Sequence, residues 1–366
     1  MTVIKSKERG NKPSAGTIMR LLRSDIKFIF IYMFLAVIAI SLITSNKMGV
    51  SFDSKRYIVV AEHFKEGNWD LAFETLFPHH PPFYPLVIAG IGLLKIRNKE
   101  APHLIDFERR TREPTVVDSD RVSGCRVVSA LGFATLVGGI FLLGWHMGNK
   151  VAAHLASLLV LTSLPFYKVF FWCWSEVVYV PLSVLFLLCL FLYAKNQNVI
   201  YWLSTALLAG LGFLTRFMGT SLIATGLVVV LFASKNIKKV AIWGLIAFLP
   251  MLLYSTIHRT TAPAEVSVFH QCWQFLSVVY YDLGGLVLIL IPLALLVLKV
   301  RLWYGISIYV GIYSLMLIAI SSIIWFDPLT TRLLLPIYPF VLLYISLGLS
   351  NLVDFRKHTH TSQDTP

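Results

Sequence analysis

Residues 127–149 read VVSALGFATLVGGIFLLGWHMGN, 23 consecutive positions without an Asp, Glu, Lys or Arg. A helix of that length is about 35 Å long at 1.5 Å per residue, and the hydrocarbon core of a bilayer is roughly 30 Å thick. The helix of a soluble protein would carry a charged or polar face opposite its apolar stripe. This run has none. Comparable charge-free runs occur at 28–46, 151–167, 177–194, 196–215, 217–234, 240–258, 283–298, 302–326 and 333–353. The fold class that follows is an all-α integral membrane protein with about ten transmembrane helices.

Composition agrees with this reading. Of 366 residues, 57% are hydrophobic and 14% charged, with a mean hydropathy of +0.72. Soluble domains carry roughly 25% charged residues, so a soluble enzyme, a nucleic-acid-binding domain and a disordered chain are all excluded. The net charge of +13 (32 Lys and Arg against 19 Asp and Glu) then reports which loops face the cytoplasm. Four cysteines, Cys125, Cys173, Cys189 and Cys272, show no metal-type spacing. Cys189 sits within an apolar run as a small hydrophobe, and Cys173 and Cys272 share the face on which a disulfide could form.

Seven basic residues lie in 1–27, which makes this segment a basic cytoplasmic N-terminus. The flank after the first run offers no A-x-A cleavage site, so the run reads as a signal anchor retained as the first span. The cytoplasmic loops and tail then carry Lys150, Lys195, Lys235, Lys238, Lys239, Lys299, Arg301, Arg356 and Lys357, and the short outer loops one basic residue each, Lys168, Arg216, Arg259 and Arg332. The membrane domain covers 28–353, with a large outer loop at 47–121 and a cytoplasmic tail at 354–366. Two uncharged stretches, 75–94 and 266–281, would invert every later loop if they crossed. The first contains Pro78, Pro81, Pro82 and Pro85, and the second ends in Tyr280 and Tyr281. Both are expected as extracytoplasmic juxtamembrane helices.

The outer loop holds the chemistry. Asp53 is placed to cap a helix over 54–66 that stops at Gly67. Tyr57, Ile58, Val60, Ala61 and Phe64 give that helix an apolar side that can rest on the membrane. Beyond it come His79-His80-Pro81-Pro82-Phe83-Tyr84-Pro85 and a charged segment, 97–121, read as a solvated loop. Adjacent histidines do not share a helical face, so His79 and His80 do not read as a metal pair. Asp118-Ser119-Asp120 spells a D-x-D, here read as part of that loop. His146 and His154 flank the turn at 148–150 on the cytoplasmic side.

In this order and spacing, Asp53-Ser54-Lys55-Arg56-Tyr57, Ala61, Gly67 and His80-Pro81-Pro82-Phe83-Tyr84-Pro85 resemble the first outer loop of the GT-C glycosyltransferases. The likeness is to the branch with protein O-mannosyltransferases, lipid A aminoarabinose transferases and Rgt-type lipopolysaccharide glycosyltransferases. Arg126-Val127-Val128-Ser129-Ala130-Leu131-Gly132, Trp174-Ser175-Glu176-Val177-Val178-Tyr179-Val180-Pro181-Leu182, Leu214-Thr215-Arg216 and Arg332-Leu333-Leu334-Leu335-Pro336 continue it to about Leu349. Two departures stand out: Glu176 where the branch usually has Asp, and His80 where a Lys often precedes the Pro pair. No large soluble C-terminal domain is expected after the last span.

The resemblance implies transfer of a sugar from a polyprenyl-phosphate-linked donor to an extracytoplasmic acceptor, whether lipid, glycan or protein. Such a reaction needs a base for the acceptor hydroxyl and cations where charge gathers on the departing phosphate. Asp53 is the expected base and Glu176 the second acid. His80, Arg216, Arg332 and Tyr57 are expected to bind the donor phosphate or substrate. Arg suits phosphate through its bidentate fork. Each residue also has a structural reading: Asp53 as a helix cap, Glu176 as a charge at a helix N-terminus, and the arginines as residues snorkelling to the interface. No cofactor and no obligatory metal are expected. The partners are the lipid-linked donor, the acceptor and membrane lipids, with no nucleic acid. The rival class is a polytopic transporter or lipid flippase. Coupled transporters place ionisable groups near the membrane midplane, and the centres of these runs hold no Asp, Glu, Lys or Arg.

Overall fold

The computed structural model describes residues 15–76, 80–92, 115–118, 122–147, 150–257, 304–323 and 331–361. The expected span at 283–298, the expected helix at 266–281, and His79, Arg259 and Cys272 lie outside the described residues.

Helix α1 (Ala15–Ile43) contains the first apolar run, and its Phe30, Phe34 and Leu42 are exposed on its outward side, as lipid-facing residues are. Strand β1 (Lys47–Val50), α2 (Phe52–Lys65), α3 (Trp69–Leu76), α4 (Phe83–Gly92) and β2 (Thr115–Asp118) follow. The core is then built from α5 (Ser123–Met147), α6 (Lys150–Thr162), α7 (Leu164–Phe170), α8 (Glu176–Asn196), α9 (Val199–Thr215), α10 (Thr220–Ser234) and α11 (Ile237–Ile257). Helices α12 (Tyr304–Ile323), α13 (Thr331–Leu334) and α14 (Tyr338–Thr361) complete the described chain. Helix α5 packs on α1, α6 and α8, while α9 packs on α8 and α11.

Among the described residues the apolar runs are helical, and three helices, Ser123–Met147, Glu176–Asn196 and Phe217–Ser234, are long and apolar enough to cross a membrane. The run at 151–167 differs from expectation. It breaks at Ser163, which is extended, and α6 and α7 meet at 55°; Pro165, in the first turn of α7, has no N–H with which to continue the α6 hydrogen-bond ladder. The ten residues of α4 reach only about 15 Å, half a bilayer. It packs against α2 and α5 with Tyr84, Ile88 and Ala89 buried.

Three further expectations are corrected. The N-cap of α2 is Ser51, not Asp53: its hydroxyl accepts from Ser54 N–H while the Ser54 hydroxyl accepts from Ser51 N–H, a reciprocal capping box. This places Asp53 inside the first turn with its carboxylate unused by the cap. Next, the apolar side of α2 does not lie on the membrane. Tyr57, Ile58, Val60, Ala61 and Phe64 are buried against α3 and α4, because two short helices supply the apolar cover that lipid was expected to give. Lastly, the segment 97–121 is not all loop, since Val116 and Val117 lie in β2, antiparallel to β1 in the register Lys47↔Asp118 to Val50↔Thr115.

On its other edge β1 bonds to the link between α7 and α8. Gly49 N–H donates to the Phe171 carbonyl (3.1 Å) and Cys173 N–H to the Gly49 carbonyl (3.0 Å). The Trp172 ring lies so close to Gly49 that a Cβ there would meet it at 2.4 Å. Only glycine admits this approach. It brings the residues leading into α8 alongside those leading into α2.

Candidate active site

Four separate parts of the chain deliver charged side chains to one end of the bundle. Asp53 stands in the first turn of α2, and Glu176 is the first residue of α8. Arg216 closes α9 in extended backbone geometry (φ −154°, ψ 143°), and Arg332 stands in α13. Arg332 joins the two acids: its Nη2 lies 3.1 Å from Asp53 Oδ2, and its Nε donates to Glu176 Oε1. Arg216 Nη1 reaches the same Glu176 oxygen at 2.5 Å and donates to Ser175 Oγ at 3.2 Å. His80 Nε2 lies 3.8 Å from Asp53 Oδ1, and its Nδ1 is 3.2 Å from the Tyr57 hydroxyl. Asp53, Glu176, His80, Arg216, Arg332 and Tyr57 therefore form one connected cluster. The turns holding Lys195 and Lys235 sit at the opposite end, where Gln197 Nε2 donates to the Ala233 carbonyl.

The two acids differ in setting. The Glu176 side chain is 1% exposed and neutralised by two guanidinium groups, whereas that of Asp53 is 28% exposed. Glu176 is thus a fixed counter-ion, and Asp53 is the carboxylate a solute can reach. Burial pushes the Asp53 carboxyl upward, but Arg332 and His80 outweigh it and hold the group below its ordinary value. Asp53 is ionised at neutral pH and can accept a proton. Arg332 is held still more firmly in its charged form, since the attraction of Glu176 and Asp53 exceeds the burial that opposes it. Burial raises the Tyr57 phenol to about 12, so it stays protonated.

The depressed Asp53 value has a consequence for stability. A carboxylate held low contributes stability above its unfolded value, about 3.9, and loses it as pH falls through the lower folded value. The difference in unfolding midpoint between the wild type and Asp53→Asn should therefore be constant at neutral pH and shrink only below that range. A difference that vanished near neutrality would show that Asp53 is not held low.

Reading the sequence missed Trp174. The Arg332 guanidinium carbon lies 4.5 Å from the centroid of its ring, and its indole N–H donates to Ser51 Oγ at 2.8 Å. An aromatic residue two places before an acid at a span start was the available signal. Among the described residues no group of three or more His, Cys, Asp or Glu side chains is arranged to hold a metal ion. Cys125, Cys173 and Cys189 are free thiols.

Residues 115–258 match the family model described as dolichyl-phosphate-mannose-protein mannosyltransferase. No curated protein matches the chain significantly. Among solved structures, the chain is similar to ArnT from Cupriavidus metallidurans, crystallised bound to undecaprenyl phosphate, with a TM-score of 0.55 and 14% identity. The match covers 90% of this chain but 60% of that one, so the chain spans about three-fifths of the length of ArnT. At that identity the likeness is one of fold. The chain is thus an all-α integral membrane protein with an ArnT-like fold, similar over residues 115–258 to that mannosyltransferase family.

Proposed function

We propose that the protein is a glycosyltransferase that moves a sugar from a polyprenyl-phosphate-linked donor to an extracytoplasmic acceptor. One observation carries this reading: an accessible carboxylate, Asp53, is held beside two largely buried arginines and a histidine at one end of the helix bundle. A lipid-borne phosphate arrives at that level of the membrane. The family model and the undecaprenyl phosphate bound to ArnT support a donor of this class. In this reading Asp53 takes the proton from the acceptor hydroxyl, and the attacking oxygen displaces the lipid phosphate from the anomeric carbon. Arg332, Arg216 and His80 stabilise the charge that collects on that phosphate. Glu176 keeps both guanidinium groups in place.

Arg216 Nε is buried without a hydrogen-bond partner among the described residues, which leaves a donor for a phosphate oxygen. Arg216→Ala should weaken binding of undecaprenyl phosphate by about 2–5 kcal/mol, the scale for truncating one partner of a buried charged pair. Titration of the detergent-solubilised variant measures it, and binding within twofold of the wild type would make Arg216 purely a structural partner of Glu176.

The topology proposed with this function has about ten spans, both termini in the cytoplasm and the acid–arginine cluster on the extracytoplasmic face. Membrane-impermeant thiol reagents added outside intact cells should modify a cysteine engineered at exposed Asn68, but not one at Lys238. Outside labelling at Lys238 would invert the topology and put the cluster on the wrong side for a lipid-linked donor.

A further inference from the structure

Arg332 stands in a helix of four residues, too short to fix a long side chain by its own backbone. Both acids take guanidinium hydrogens, yet ion pairs alone leave the plane of the group free to tilt. The Trp174 ring supplies the missing contact, lying 4.5 Å from the guanidinium carbon. Trp174 is in turn fixed from two sides. Its indole N–H donates to Ser51 Oγ, the hydroxyl that caps the helix carrying Asp53. Its ring stacks on Trp172 at 5.3 Å and 12°, and Trp172 lies against Gly49 of β1. One side chain thus touches the cap of the helix carrying the accessible acid, the Trp172 ring packed on β1, and the cation between the two acids.

We propose that Trp174 is a positioning residue that sets the orientation of Arg332 toward the lipid phosphate, in register with Asp53. The inference rests on the donor-binding reading above. Trp174 acts through Arg332 and not on the substrate. Its contribution should therefore vanish when the guanidinium is absent, as energetic coupling between contacting residues requires.

The test is a double-mutant cycle on Trp174→Leu and Arg332→Gln, read as affinity for undecaprenyl phosphate and, separately, as the thermal unfolding midpoint. Trp174→Leu alone should weaken binding about tenfold, yet by less than twofold in the Arg332→Gln background. Trp174→Phe, which keeps an aromatic face but loses the Ser51 bond, should recover binding to within about threefold of the wild type. A cation–π contact persists with Phe, although Trp is the stronger partner. Equal losses from Trp174→Leu in both backgrounds would overturn the proposal, as would binding by Trp174→Leu within twofold of the wild type. If Trp174→Leu does not fold, Trp174→Met, which also lacks an aromatic face, carries the same cycle. Wild-type protein that binds no undecaprenyl phosphate would refute the donor reading. The coupling in unfolding midpoint then decides the positioning claim: non-additive values support it and additive values overturn it.

Discussion

Asp53→Asn should abolish most transfer while leaving the protein folded. The substitution keeps side-chain size and a hydrogen-bond acceptor for Arg332, but an amide cannot take up the acceptor proton. A general base contributes about 10²–10⁴-fold, so the rate should fall at least a hundredfold. Because Ser51 and Ser54 form the capping box, Asn at position 53 disturbs no cap. Arg332 also keeps its bond to Glu176. The expected signature is normal expression of a folded protein, its unfolding midpoint lowered only by the modest amount that the lost charge pair with Arg332 contributes, alongside a collapsed rate. A variant with the wild-type rate would remove Asp53 as the base.

Glu176→Gln should do the opposite and strike stability first. Its carboxylate is 1% exposed and shared by Arg216 and Arg332, whose side chains are 12% and 16% exposed. Neutralising it leaves the largely buried Arg216 with no acidic partner, and Arg332 with Asp53 alone, among the described residues. Breaking a buried pair by removing one partner costs about 3–5 kcal/mol, a large share of the 5–15 kcal/mol that holds an ordinary domain together. The unfolding midpoint should drop clearly, and activity should fall with the amount of folded protein. A variant as stable as the wild type would show that water or lipid reaches the arginines and that the pair is not dry.

Most of the cluster could be read from the chain because charge is so scarce in it. A lone Arg216 or Arg332 at the end of an uncharged run is conspicuous, and so is Glu176 at the start of one. What one dimension could not give was their convergence. Nothing in the spacing says that Arg216 and Arg332, 116 positions apart, share one oxygen of Glu176. The capping assignment erred by two residues because Ser51 and Asp53 are both good caps, and only the backbone decides between them. Strands β1 and β2 are four residues each and are separated by 64 residues, too short for alternation to reveal them. The apolar side of α2 was legible as apolar, but sequence cannot tell protein cover from lipid.

The most direct measurement of the central claim uses purified protein in sealed liposomes of known orientation with a defined acceptor. Sugar is offered either as a polyprenyl-phosphate conjugate in the bilayer or as a nucleotide sugar on either side. The account predicts transfer from the lipid-linked donor alone, at the face carrying Asp53, and its loss in Asp53→Asn. Transfer from a nucleotide sugar, or movement of the lipid across the bilayer with its sugar–phosphate bond intact, would contradict it.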